Sequence, residues 1–152
     1  MSVEPIPERY HSAVIPHIMV DGASDAIEFY AQAYGATELF RITSPKGKII
    51  HAEMRIGQSV FMIGDPDGSF RDAKSLGASS VGLHVYIDDV DTLFSKATNA
   101  GARILQPVQT MFYGDRTTML EDPYGHVWVF LTHQEDLTPE EIVERAKAAF
   151  AQ

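Results

Sequence analysis

The stretch HIMVDGASDAIEFYAQAYGA at residues 17–36 returns in altered form as HVYIDDVDTLFSKATNAGA at residues 84–102. Asp21 answers to Asp88 and His17 to His84, each 67 residues apart (88 − 21 and 84 − 17), and Gly35 answers to Gly101 at 66 (101 − 35). A near-constant offset across a strand and the helix after it marks an internal duplication. In the first copy, Ala13 to Val20 is apolar almost throughout and reads as a strand buried on both faces. Asp21-Gly22 breaks it, and a helix follows with Ser24 or Asp25 as N-cap and Ile27, Tyr30, Ala31 and Tyr34 on one face. Gly35 stands where a left-handed C-terminal cap belongs.

Working outward, ATELFRIT, KIIHAEMRI and SVFMI read as three strands joined by tight turns. The second copy repeats the plan. VGLHVYI is its opening strand, and a helix carries Val90, Leu93, Phe94 and Ala97, with Gly101 as its cap. ARILQ, DRTTMLE and HVWVFLT are three more strands, with a gap from Pro107 to Gly114. The expectation is an α+β chain of two βαβββ modules, at about 12–64 and 80–133, joined by a Gly-, Asp- and Ser-rich linker at 65–79. The two would form one domain over 1–136, with mixed sheets curving around a cavity. Residues 137–152 read as a further helix, opened by the capping box Thr138-Pro139-Glu140-Glu141. Its apolar stripe of Ile142, Ala146, Ala149 and Phe150 suits a packing element or a dimer contact.

Composition excludes several functions. With 45% hydrophobic and 22% charged residues the chain is an ordinary globular protein and not a disordered one. Twelve Lys and Arg against 21 Asp and Glu give a formal net charge of −9, which repels nucleic acid and anionic lipid. There is no cysteine, so disulfides, thiolate metal sites and cysteine nucleophiles are excluded. Met1 to Tyr10 has no apolar leader and no stretch approaches membrane-spanning length, so a soluble cytoplasmic protein is expected.

The segments AIEFYAQAYGA, GLHVYIDDVD and LEDPYGHVWVFLTH resemble the glyoxalase/bleomycin-resistance family, the vicinal oxygen chelate superfamily, over about residues 12–135. FYGDRTTMLEDPYGHVWVFLTH is most similar to the PhnB-like branch. Enzymes of this family hold a divalent metal with four side chains, often His on the opening strand and Glu on the closing strand of each module. Carried over by register, those positions are Ile15 and Gly82 on the opening strands and Met62 and Val129 on the closing ones. None offers the donor that a hard or borderline cation needs, so the resemblance implies a member without the usual metal site. It also implies a homodimer.

A strand alternates faces, so His17 and His84, two residues beyond Ile15 and Gly82, should point to the cavity face. In KIIHAEMRI the set Ile50, Ala52, Met54 and Ile56 should meet the helices, leaving His51, Glu53 and Arg55 on the other side. The matching strand is expected to place Arg116, Thr118 and Leu120 on that second side too. Three roles fit His17, His84, His51 and Glu53. They line the cavity without chemistry, they hydrogen-bond a small ligand, or His17, His84 and Glu53 form a displaced divalent-metal site. Arg116 either clamps an anionic group of a ligand or pairs with Asp115, Asp122 or Glu121. Tyr86, Phe112 and Tyr113 are aromatic liners, whereas Trp128 should pack against the helices. Asp122-Pro123-Tyr124-Gly125 sets the register of the last strand.

The apolar residues at the ligand positions favour a small-molecule-binding protein that captures an aromatic metabolite or antibiotic. The alternative is a lyase, isomerase or dioxygenase that uses the off-register His/Glu set with a metal or for acid–base work. Elemental analysis before and after chelation and reloading separates the two. The binding reading expects no stoichiometric metal, whereas near-stoichiometric zinc, nickel, manganese or iron would place His17, His84 and Glu53 at a metal centre.

Overall fold

The computed structural model describes residues 6–12 and 14–151. The chain divides into two compact units, Met1–Ala78 and Ser79–Gln152. The first opens with a 3-10 turn, Glu8–Tyr10, followed by β1 (His17–Met19), α1 (Ala23–Tyr34), β2 (Thr37–Thr43), β3 (Ile49–Ile56), β4 (Ser59–Gly64) and the one-turn helix α2 (Ala73–Leu76). The second holds β5 (Gly82–Tyr86), α3 (Val90–Asn99), β6 (Arg103–Thr110), β7 (Asp115–Glu121), β8 (Val127–His133) and α4 (Pro139–Ala149). Each unit carries one open four-stranded sheet, ordered β1-β4-β3-β2 in the first and β5-β8-β7-β6 in the second. The opening strand runs parallel to the closing one, and the other pairs are antiparallel. The sheets are therefore mixed, as expected. Among the described residues no helix is long and apolar enough to cross a membrane.

The duplication holds at the level of hydrogen-bond register. His17 lies beside Met62 and His84 beside Val129, so both pairs repeat at 67 residues (84 − 17 and 129 − 62). Each core forms between one sheet face and its helix. In the first unit Ala52, Met54, Phe61 and Ile63 are buried with Ile27, Tyr30 and Tyr34 of α1, and Tyr30 meets Phe61 edge-on at 5.7 Å. In the second, Leu120, Trp128 and Phe130 are buried with Val90 and Ala97 of α3. The Trp128 indole stacks on Phe130 and donates to Asp122 Oδ2 at 2.9 Å. Asp122 Oδ1 accepts the backbone N–H groups of Tyr124 and His126, which closes the turn before β8.

Several expectations need correction. β1 begins at His17 and not near Ala13, which lies outside the described residues; Pro16 has no N–H to continue the ladder, although its carbonyl accepts from Met62 N at 2.7 Å. Ser24 and Asp25 lie inside α1, whose N-cap is Gly22 at φ +90° with no side-chain cap of its own. Ala31 is exposed, and Ala23, Ala26 and Ala33 share the buried stripe instead. α3 is capped by Asp89 at its start and by Ala100 at its end, one residue before Gly101. The linker contains α2, capped by Asp72. β6 continues through Pro107 because it is an edge strand, where a missing N–H is tolerated.

One bulge and one regular strand pairing put side chains on faces other than those expected. Ile42 pairs with His51 and Thr43 with Ile49, so Ile50 is skipped; it stands exposed while Ile49 takes the buried place. Arg116, Thr118 and Leu120 lie opposite Thr132, Phe130 and Trp128, which puts them on the helix side of their sheet. The residue level with Val129, as Glu53 is level with Met62, is Met119.

The start of α1 is capped from the end of β4. Asp65 Oδ1 accepts Gly22 N at 3.0 Å and Ala23 N at 3.1 Å, while Oδ2 accepts Ile49 N at 2.7 Å. The second unit uses the equivalent position, where Thr132 Oγ1 accepts Val90 N at 2.9 Å. Asp65→Ala removes an N-terminal cap and a strand contact together, for an expected loss of about 2–4 kcal/mol. A lower urea midpoint at unchanged slope would show it.

Candidate functional site

The face of the first sheet turned away from α1 gathers the site. His17, Met62 and Glu53 lie level across β1, β4 and β3, Phe40 of β2 lies level with Glu53, and His51, two residues along β3, contacts both Glu53 and Phe40. The His17 ring meets His51 edge-on at 5.6 Å and Phe70 at 5.2 Å, and Phe40 reaches His51 at 5.8 Å. Phe40 and Phe70 remain 40% and 49% exposed, so these rings are presented rather than packed away.

Glu53 is the buried charge at its centre, with 2% of its surface exposed. The Tyr10 hydroxyl donates to both carboxylate oxygens, at 2.7 and 2.6 Å. Arg9 Nε donates to Oε1 at 3.3 Å, and His51 Nε2 contacts Oε2 at 3.2 Å. Burial pushes the carboxyl upward, but the hydrogen bonds from Tyr10, His51 and Arg9 outweigh it and hold Glu53 below the ordinary carboxylate range. Tyr10 is raised in turn, first by donating to that carboxylate and then by burial, so the phenol keeps its proton.

His17 has the opposite problem. Its Nε2 is buried and has no hydrogen-bond partner among the described residues. Burial, and then the neighbouring His51, push its imidazole below the ordinary value, favouring the neutral ring. An unsatisfied buried nitrogen is uncommon enough to point to a missing partner.

The remaining candidates belong to the second unit. His84 and Tyr86 are exposed on β5. The Tyr86 hydroxyl donates to buried Asp115 at 2.9 Å, and Asp115 also contacts His133 Nδ1 at 2.8 Å. His133 Nε2 reaches Asp136 at 2.7 Å, so this imidazole lies between two carboxylates and is raised, first by Asp136 and then by Asp115. Phe112 touches Tyr113 at 5.2 Å and Phe150 at 5.6 Å, while Arg145 bonds both Glu135 and the Phe112 carbonyl. Arg116 makes a two-pronged pair with Asp91 of α3, at 2.8 and 2.9 Å, a partner the sequence did not suggest.

The structure thus joins His17, His51 and Glu53, and places His84, Tyr86, Phe112, Tyr113 and Arg116 in the other unit. Sequence reasoning missed Arg9, Tyr10, Phe40 and Phe70. Only the period-two placement of Phe40 carried a signal, and the bulge in β2 hides it. The donor set does not fit the superfamily's cation. Ile15, Met62, Gly82 and Val129, the positions to which the resemblance assigns the metal ligands, supply no imidazole or carboxylate. Among the described residues no group of three or more His, Asp or Glu is arranged to hold a metal ion.

Known proteins share this architecture. The model of the Glyoxalase/Bleomycin resistance protein/Dioxygenase superfamily matches residues 11–130. The uncharacterized protein Mb0911c of Mycobacterium bovis is 40% identical over 121 residues, covering 76% of this chain and 80% of its own. The crystal structure of TioX from Micromonospora sp. ML1 superposes with a TM-score of 0.64 at 26% identity, covering 82% of this chain and 98% of that one. The PhnB protein of Bacillus cereus shares the fold, with a TM-score of 0.62 at 21% identity over 78% of this chain and 98% of its own.

The two perturbed histidines carry opposite signs. His17 is depressed, so its contribution to stability is present above the ordinary imidazole value of 6.5 and is lost as pH falls. His133 is raised, so its contribution is present below 6.5 and is lost as pH rises through its own higher value. An imidazole NMR titration is expected to find His17 titrating below 6.5 and His133 above it.

Proposed function

The chain belongs to the glyoxalase/bleomycin resistance protein/dioxygenase superfamily, and from that membership we propose that it binds a small aromatic molecule on the His17–His51–Phe40–Phe70 face. The observation that carries this reading is the buried, unpartnered Nε2 of a neutral His17. A ligand hydrogen-bonding there relieves a penalty of about 1–3 kcal/mol. Rings flanking it add about 0.5–1.5 kcal/mol for each aromatic pair. Glu53 fixes His51 in the wall, with Nε2–H toward the carboxylate when the ring is neutral, which leaves Nδ1 as an acceptor.

No step runs through a divalent cation, because the superfamily's ligand positions lack its donors. A neutral imidazole with a free nitrogen is also what a general base requires. Turnover of a bound ligand that disappears in His17→Ala would assign His17 that second role.

A panel of aromatic ligands, screened by thermal shift and then by calorimetry, tests the proposal. Binding is expected to persist in excess chelator and to weaken about tenfold in His17→Ala, the loss of one good hydrogen bond. A panel without a single stabilising ligand, or binding that chelator abolishes, would contradict it.

A further inference from the structure

We propose that the Glu53 carboxylate anchors a ligand bearing an amidinium or guanidinium group on an aromatic ring, and that Arg9 and Tyr10 occupy this anchor until such a ligand displaces them. The inference rests on the reading of this face as a binding surface and names the ligand's chemistry.

The first argument is the quality of the ion pair. Arg41 grips Glu38 at 2.6 and 3.2 Å, Arg116 grips Asp91 at 2.8 and 2.9 Å, and Arg145 grips Glu135 at 2.8 and 2.6 Å. All three are two-pronged, the geometry that guanidinium and carboxylate prefer. Arg9 makes one contact to Glu53, at 3.3 Å, and turns another N–H to the Tyr10 hydroxyl at 3.1 Å. Arg103 makes a single contact to Glu121, at 3.0 Å, so of the five arginine–carboxylate pairs among the described residues the most buried carboxylate has the longest arginine contact. A free amidinium, not tethered to a chain, can approach both oxygens.

The second argument is how the turn is held. Tyr10 N bonds Pro7 O, His11 N bonds Glu8 O, and the His11 ring bonds Ile6 O, all within the turn itself. Among the described residues, the hydrogen bonds that tie residues 6–12 to the sheet all end on Glu53. A competitor for that one carboxylate removes all of these hydrogen bonds and leaves the turn held to the sheet by its packing against β4. The third argument is the surroundings. The exposed Phe40 and Phe70 rings, with Phe40 level with Glu53 across the strands and His51 in contact with both, offer faces to an aromatic ring attached to the cation. A net charge of −9 favours approach of a cation.

Benzamidine and its neutral isostere benzamide are the probes, titrated calorimetrically into the full chain. Benzamidine is expected to bind, and to bind about tenfold tighter to the Arg9→Ala/Tyr10→Phe variant, in which the internal competitor is gone. Glu53→Gln is expected to cost about tenfold or more against benzamidine and to leave benzamide unchanged. Should Glu53→Gln fail to fold, the double variant and the amidine-to-amide ratio still decide. Equal affinity for the two probes, or no gain in the double variant, overturns the inference. If both probes bind equally through His17, the aromatic-ligand reading stands without it. If neither binds, the inference falls and the neutral panel alone judges that reading.

Discussion

A carboxylate buried in the middle of a sheet dictates what can surround it. Glu53 would cost several kcal/mol if left ionised and unpaired in that position. It is compensated by a phenol, a guanidinium and an imidazole, drawn from the N-terminal turn and from its own strand. That requirement orients His51, recruits Tyr10 and Arg9, and uses both carboxylate oxygens. His17 is excluded from the network, although its ring lies 5.6 Å from His51. The outcome is one satisfied charge beside one unsatisfied neutral nitrogen, with aromatic rings at the rim.

The duplicated frame shows how the same backbone register carries different chemistry. Thr132 takes over the helix-capping place of Asp65. Met119 stands on the strand position that Glu53 occupies in the first unit, beside the closing-strand residue in each case. The second unit instead buries Asp115, satisfied by Tyr86 and His133. Glu53 and Asp115 are each neutralised within their own unit, and among the described residues only the first unit leaves a buried histidine nitrogen without a hydrogen bond. The superfamily frame is kept, while the positions to which the sequence resemblance assigns metal ligands carry Ile15, Met62, Gly82 and Val129.

The strands and helices were legible because apolar spacing and glycine placement are local properties. Gly35 at φ +71° and the Asp122–Gly125 turn follow from residue chemistry alone. The repeat was legible because it recurs at a nearly constant offset. What depended on register was not. A bulge that skips Ile50 and the true level of β7 are set by pairing across strands, which a single strand's alternation does not encode. Three site members, His17, His51 and Glu53, were found from alternation. Arg9 and Tyr10 were not, since their contacts to Glu53 span 44 and 43 residues and have no sequence period behind them.

The proposed ligand sits on the first unit's open face and not on its duplicate. Histidine side-chain NMR on selectively labelled protein, recorded as an aromatic ligand is added, reads this directly because the imidazoles of the two units are resolved residue by residue. His17 and His51 are expected to shift while His84 and His126 stay in place. Shifts confined to His84, with His17 and His51 unmoved at saturation, would contradict it.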